Sequence, residues 1–152
     1  MTSPNPSEEI LIRPMEPHDA ESAAALALQL GYTRTPAAVR QWIEDQRNRN
    51  EQAALVACQD AQVVGWIEVS VQRHLQSEPY TLITGLVVSE TVRGKGIGRR
   101  LCRSAEQWSW DIGVPTVRVT SRSSRLDAHR FYRDLGYCET KTSLVFEKKR
   151  GE

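Results

Sequence analysis

The apolar and polar positions along the chain predict an alternation of strands and helices. Short apolar or alternating runs predict strands at residues 9–13, 53–58, 63–71, 80–88, 116–120, 137–139 and 143–146. Apolar residues at helical spacing predict helices at residues 17–30, 35–46, 97–112 and 127–135. The resulting order, β-α-α-β-β-β-α-β-α-β-β, predicts an α/β (α+β) fold with a mixed central sheet and helices on its faces.

A glycine-rich bend joins the strand at 80–88 to the helix that follows it. Gly94, Gly96 and Gly98 stand at alternate positions there, and three glycines exceed what a tight strand-to-helix turn requires. The first N–H groups of a helix have no intrahelical partner and lie at the positive end of its dipole. The pattern therefore predicts a cradle for a phosphate group.

Two familiar phosphate loops do not fit this bend. A nucleotide P-loop needs lysine followed by serine or threonine, whereas Gly98 is followed by Arg99 and Arg100. A dinucleotide fingerprint needs glycines spaced G-x-G-x-x-G inside a βαβ unit, and neither the spacing nor the preceding hairpin-joined strands match. The phosphate ligand is therefore of another kind.

Composition and charge narrow the remaining function classes. The 152 residues, 39% apolar and 26% charged, predict one domain at 9–147 between a flexible tail at 1–8 and a charged tail at 148–152. The net charge of +1 gives no field favouring nucleic acid or a membrane as partner. Three widely separated cysteines, expected to be packing residues, favour a reducing, cytoplasmic setting, and no Cys/His spacing suggests a metal.

Two motifs resemble those of one enzyme family. Arg93-x-x-Gly96-x-Gly98 resembles the acetyl-coenzyme A signature of the GCN5-related N-acetyltransferase (GNAT) family. Residues 128–137, which contain Phe-Tyr-x-x-Leu-Gly-Tyr, resemble its second signature, and Ile12-Arg13-Pro14 with Asp19-Ala20 resembles its usual start. The resemblance covers about residues 9–147.

The resemblance implies an activity and its partners. We expect acetyl transfer from acetyl-CoA to a primary amine in a direct ternary complex, without a metal. The minimal domain favours a small-molecule amine, while a protein N-terminus or lysine as acceptor, and an acyl-CoA-binding sensor without catalysis, stay open. A homodimer also stays open, because relatives are often dimers.

The resemblance assigns coenzyme-binding residues by position. The pyrophosphate would be held by the main chain of the bend, at Arg93, Gly94, Gly96, Gly98 and Arg99. Pantetheine would pair with the main chain at Leu86 and Val88. Arg125 stands where many relatives have asparagine and could instead reach a phosphate.

Catalysis is expected to rest on Tyr132, whose hydroxyl would donate a proton to the leaving thiolate. Several relatives carry Glu or His on the strand before the bend, but Leu82 and Thr84 stand there. Glu68 and His74 are the titratable candidates for a base. Glu68 is preferred because it alternates with apolar neighbours.

The acceptor side is predicted less sharply. The predicted acceptor-binding residues are Tyr32, Trp66, Tyr80 and Thr84. No acidic cluster is evident in the sequence there, which disfavours polycationic aminoglycosides or polyamines unless Glu68, Glu78 and Glu139 gather in space.

Overall fold

The computed structural model describes residues 9–151, and the predicted tail at 1–8 lies outside them. The strands are β1 (Ile10–Pro14), β2 (Gln52–Gln59), β3 (Gln62–His74), β4 (Ser77–Val88) and β5 (Val117–Val119). The α-helices are α1 (Ala20–Ala27), α2 (Pro36–Gln46), α3 (Ile97–Asp111) and α4 (Leu126–Asp134), with short 3-10 helices at Pro17–Asp19, Leu28–Leu30 and Glu90–Val92. The predicted mixed α/β fold is confirmed.

The strands form one sheet in the order β1-β2-β3-β4-β5. Neighbouring strands are antiparallel except β4 and β5, which are parallel. The chain divides into two compact units between Thr120 and Ser121: the first holds the sheet with α1, α2 and α3, and the second holds α4.

Local sequence signals explain several boundaries of the first unit. Thr35 caps α2, accepting a hydrogen bond from the Ala38 N–H at 3.1 Å, and Pro36 occupies the first helical position. Asp60 and Ala61 both adopt positive φ, 52° and 64°, as the two central residues of a tight β2–β3 hairpin require. These two predictions from the sequence are confirmed.

The sheet of the first unit is packed on both faces. Ile67, Val69 and Ile83 are fully buried, as are Ile97 and Leu101 on α3. Successive strand residues point to opposite faces. Trp66, next to Ile67, points the other way, because its indole N–H donates to the main-chain oxygen of Ala23 in α1 at 3.2 Å. Glu68 and Ser70 share the Trp66 face.

A buried hydrogen-bond chain fixes α3 to β4. The hydroxyls of Thr81 and Ser109 lie 2.7 Å apart, and Ser109 donates to the main-chain oxygen of Val114 at 2.8 Å. Ser109 has one proton to give, so Thr81 donates to Ser109 and both buried hydroxyls are satisfied. Thr81 therefore faces α3, and Tyr80 and Leu82 face the opposite side with Glu68.

An ion pair joins β1 to the start of α1. The Arg13 guanidinium holds both carboxylate oxygens of buried Asp19, at 2.7 and 2.8 Å, and the Glu16 N–H donates to the same carboxylate. Burial raises the pKa of Asp19, but these hydrogen bonds outweigh it and leave the pKa below its usual value. The opening residues of the family resemblance thus have a structural role here.

The two predicted strands after α4 are absent. Within the described residues, no helix or strand lies between Tyr137 and Lys149. The side chains of Leu144, Val145 and Phe146 are 79%, 93% and 89% exposed. The prediction of closing strands at 137–139 and 143–146 was wrong, because an apolar alternation forms a strand only where a neighbouring strand pairs with it.

Two smaller predictions also need correction. Arg125, not Asp127, is the N-cap of α4, and it makes no side-chain capping hydrogen bond. Of the three cysteines expected to pack inside, Cys58 and Cys102 are buried but Cys138 is exposed. Burial raises the pKa of the Cys102 thiol to about 12, which keeps it protonated and inert.

Candidate active site

Strands β4 and β5 separate halfway along β4. They pair only where Thr81, Leu82 and Ile83 face Val117, Arg118 and Val119. On its other side, β4 stays paired with β3 as far as Val88. Within the first unit, the second half of β4, which contains Leu86 and Val88, therefore has an open main-chain edge on the side of β5.

A β-bulge lies where this separation begins. Glu68 pairs with Gly85 and Val69 pairs with Ile83, so Thr84 is an extra residue without a partner on β3. The Thr84 hydroxyl donates to the main-chain oxygen of Glu68 at 3.2 Å. The bulge thus brings Thr84, a predicted acceptor-binding residue, against Glu68, a predicted base.

Gly85 contributes to the same place and was not singled out from the sequence. A Cβ on Gly85 would lie 2.8 Å from a ring carbon of Trp66, so the indole lies over the glycine. A glycine inside a strand is the signal that would have found this close contact. Trp66 is therefore a packing residue between the sheet and α1, and its predicted role in binding the acceptor stays a prediction.

The glycine bend begins directly after β4. Gly94 and Gly96 have φ values of +84° and +76°, and Gly96 is the N-cap of α3 without a side-chain cap. The Arg100 N–H bonds to the Gly96 oxygen at 3.1 Å, so the N–H groups of residues 97–99 precede the first intrahelical bond. Gly98 lies inside the helix, and only the first two glycines are needed for backbone conformation.

The space around this bend is open. A Cβ on Gly94 or Gly96 would meet nothing within 4 Å. Arg93 and Arg99 are exposed beside it, and the Arg93 Nε donates to the main-chain oxygen of Val88 at 3.4 Å. The open edge of β4 therefore ends at a guanidinium and at free N–H groups, an arrangement that suits an anion.

Glu68 is half-buried on the Trp66 face of β3. Burial raises the pKa of its carboxyl above the usual value, and the neighbouring Thr84 hydroxyl offsets part of this rise. A carboxyl with a raised pKa is a stronger base once ionised, as proton transfer near neutral pH requires. His74, the other candidate, lies six residues along β3, about 20 Å away at 3.3 Å per residue.

The three predicted aromatic residues do not form one wall. Tyr80 pairs with Gln72 and lies six residues along the β3 ladder from Trp66. The Arg118 guanidinium lies over the Tyr80 ring, 4.0 Å from its centroid. The same ring stacks with the His74 ring, with 5.8 Å between the two centroids. Tyr32 is exposed after Gly31, whose φ of +88° ends the preceding 3-10 helix.

Tyr132 and Arg125 belong to the second unit. The Tyr137 N–H donates to the main-chain oxygen of Tyr132 and the Gly136 N–H to the main-chain oxygen of Arg133, both at 3.0 Å. These two bonds, with Gly136 at φ +99°, form a Schellman cap at the end of α4. The Tyr132 ring lies edge-to-face against Phe131 and Tyr137, at 5.1 and 5.8 Å. The second signature thus encodes a helix end that fixes the Tyr132 ring.

The described residues offer two further findings. No group of three or more His, Cys, Asp or Glu residues within 9–151 is placed to hold a metal ion. None of the helices in that range is both long and apolar enough to cross a membrane.

Comparison with known proteins agrees with this geometry. A sequence model described as the acetyltransferase (GNAT) family matches residues 18–137. An aminoglycoside N(6')-acetyltransferase type 1 from Stenotrophomonas maltophilia is 30% identical over 101 residues, 63% of this chain and 66% of that protein. An aminoalkylphosphonate N-acetyltransferase from Salmonella typhimurium is 35% identical over 83 residues, 54% of each chain. The matches thus span just under two thirds and about half of these relatives.

Solved structures show the same fold. An aminoglycoside N-acetyltransferase in complex with CoA has a TM-score of 0.84 at 21% identity, covering 98% of this chain and 99% of the other. A transcriptional regulator from Bacillus halodurans has a TM-score of 0.82 at 23% identity, covering 92% and 100%. The family match extends from before α1 to the end of the α4 cap, through the glycine bend. The chain therefore belongs to the acetyltransferase (GNAT) family.

Proposed function

We propose that this protein is an acetyl-CoA-dependent N-acetyltransferase that transfers acetyl directly to the primary amine of a small molecule within a ternary complex. One observation carries the proposal: the open edge of β4 leads into the glycine bend and the free N–H groups of α3. An extended chain of amides ending in a pyrophosphate, which is the shape of coenzyme A, would use both features.

The coenzyme would be held mainly by main-chain atoms. The bend at Gly94 and Gly96, with the N–H groups of residues 97–99, would hold the pyrophosphate. The main chain of Leu86 and Val88 would pair with the pantetheine amides as a neighbouring strand would. Arg93 and Arg99 would add positive charge, and Arg125 is our candidate for a further phosphate contact.

The proton transfers would involve two residues. Glu68 would accept a proton from the acceptor amine, directly or through a water, as the new C–N bond forms. Tyr132 would donate its phenolic proton to the sulfur as the C–S bond breaks, so that a neutral thiol leaves. Thr84, which donates to the Glu68 main-chain oxygen, would fix the backbone from which the Glu68 side chain extends.

The charges of the described residues favour an acceptor that carries an anionic group. The Arg118 guanidinium over Tyr80 has no carboxylate partner among residues 9–151. Glu139, one of three acids considered for a polycation site, is already paired with Arg133 at 3.3 Å. Both similar curated proteins acetylate amines by their names, and this charge pattern suits an aminoalkylphosphonate better than an aminoglycoside.

A panel of amines separates the candidate functions. Thiol release from acetyl-CoA would be followed with aminoalkylphosphonates, amino acids, aminoglycosides, polyamines, and peptides with a free N-terminus or lysine. We expect turnover with aminoalkyl anions and little with polycations. Peptides as the best acceptors would support a protein acetyltransferase instead.

A non-catalytic sensor is the other reading to be tested. It predicts that CoA binds, by calorimetry, while no amine or peptide in the panel releases thiol. A Glu68→Gln variant run beside the wild type would show whether a low rate is enzymatic. A wild-type rate equal to that of the variant and of buffer, for every acceptor, would refute our proposal.

A further inference from the structure

One face of the sheet in the first unit carries two opposite charges that do not pair with each other. Glu68 on β3 and Arg118 on β5 are both half-buried on this face, where the guanidinium lies over the Tyr80 ring. Every ion pair within residues 9–151 involves other side chains, and the exposed Glu78 forms none either. Burying a charge costs free energy unless an opposite charge pairs with it. A ligand with one cationic and one anionic group would supply both missing partners.

The surface between the two charges has an apolar centre. Leu82 lies on the same face as Tyr80, because strand residues two apart point to the same side. Its partner on β3 lies two residues from Glu68, whereas the partner of Tyr80 lies four residues from Glu68. The half-exposed Leu82 side chain is therefore placed between the carboxylate and the guanidinium, where methylene groups of a ligand can pack on it.

The strand register sets the length of this surface. Four residues of β3 separate Glu68 from the level of Tyr80, so the guanidinium lies about 13 Å along the sheet from Glu68. A hydrogen-bonded contact of about 3 Å at each end leaves about 7 Å for the ligand. An extended chain covers about 3.5 Å in three bonds, so the nitrogen and the anionic oxygen of the ligand are about six bonds apart.

We propose that the acceptor is an ω-amino acid or an ω-aminoalkylphosphonate, with its anionic group on Arg118, its methylene chain over Leu82 and its amine at Glu68. This inference rests on the proposed function, which makes Glu68 the base. Carboxylate and phosphonate share the chemistry that matters here, since both accept two hydrogen bonds from one guanidinium. Tyr80 positions that guanidinium, and its hydroxyl lies 3.4 Å from the His74 Nε2.

The first test varies the length of the acceptor. Thiol release from acetyl-CoA is measured with two series, ω-amino acids and ω-aminoalkylphosphonates, each with chains of two to eight carbons. We expect kcat/KM to be highest near 5-aminopentanoate and 4-aminobutylphosphonate and to fall roughly tenfold or more at both ends, where one charged hydrogen bond is lost. A series that includes the better anion identifies its class. Equal kcat/KM at all chain lengths would overturn the inference.

The second test removes the guanidinium. Pentylamine has the chain of 5-aminopentanoate without its anion, so the ratio of the two kcat/KM values measures recognition of the anion. Arg118→Gln should lower this ratio by roughly tenfold or more, and Arg118→Lys, which keeps the charge, should lower it less. Arg73→Gln is the matched control, because it removes a guanidinium of β3 that is paired with Glu51 at 2.7 Å. The same ratio in Arg118→Gln as in Arg73→Gln would contradict the role of Arg118.

A binding measurement separates this inference from the proposed function. Titration calorimetry with 5-aminopentanoate, in the presence of CoA, compares the wild type with Arg118→Gln. Binding that depends on Arg118, without thiol release from any acceptor, would support the anion site and refute the proposed catalysis. Thiol release with equal affinity in the two proteins, or no binding to either, would refute the anion site.

Discussion

Replacing Gly96 by alanine tests the proposed coenzyme site apart from the stability of the fold. Gly96 is the N-cap of α3 with φ +76°, and an added Cβ would meet nothing within 4 Å. In the free protein the substitution therefore costs only the left-handed conformation, about 1–2 kcal/mol. In the proposed complex the same methyl group would lie where the main chain approaches the pyrophosphate.

Gly113 provides a matched control on the same helix. It follows the C-terminal end of α3 with φ +84°, and its added Cβ also meets nothing within 4 Å. The two positions are separated by α3 and its C-cap Ile112, and the 15 residues of α3 alone span about 22 Å at 1.5 Å per residue. Gly113→Ala should therefore cause the same strain without approaching the bend.

Both variants should unfold at a lower temperature by a similar amount, roughly 2–8 °C for 1–2 kcal/mol in a protein of this size. Only Gly96→Ala should weaken CoA binding, by about tenfold or more, since tenfold corresponds to about 1.4 kcal/mol. Scanning calorimetry measures the first quantity and titration calorimetry with CoA the second. Equal CoA affinity in the two variants would refute the assignment of the bend to the pyrophosphate.

Three other substitutions test the remaining roles. Glu68→Gln should lower kcat/KM by roughly 10²–10⁴. It should also remove the part of the decline of kcat/KM at low pH that arises as the wild type loses its base below the raised pKa of this carboxyl, and leave the part caused by protonation of the acceptor amine; an unchanged pH profile would exclude Glu68 as base. Tyr132→Phe should lower kcat while the CoA Kd stays the same, and full turnover at saturating acceptor would contradict the acid role. Gly85→Ala should destabilise the fold by about 1–3 kcal/mol in a denaturant titration, because its Cβ would meet the Trp66 ring at 2.8 Å; full stability would show that the indole moves freely.

The sequence predicts best those elements whose signals are local. The cap at Thr35, the hairpin at Asp60 and the glycines that end helices each act within a few residues, and the structure confirms them. The glycine bend belongs to this class, because positive φ at Gly94 and Gly96 is a local requirement. The sequence around the bend could not predict that the bend lies next to the free edge of β4, because that edge depends on where β5 stops pairing with β4.

The register between β3 and β4 determines which residues of the candidate site lie side by side, and the sequence does not show this register. An alternating pattern places Glu68 on one face of β3, but the bulge at Thr84 shifts the register of β4 against it. That shift brings the Thr84 hydroxyl to Glu68 and sets Gly85 under the Trp66 ring. The isolated glycine in the middle of β4 was the one visible signal of this arrangement.

The segment at 143–146 also shows that an apolar pattern alone does not determine whether a strand forms. Its apolar pattern is that of a strand, and the chain leaves Leu144, Val145 and Phe146 exposed without one. An alternation of apolar and polar residues indicates that one face of a strand can be buried, but it does not identify the neighbouring strand that pairs with it.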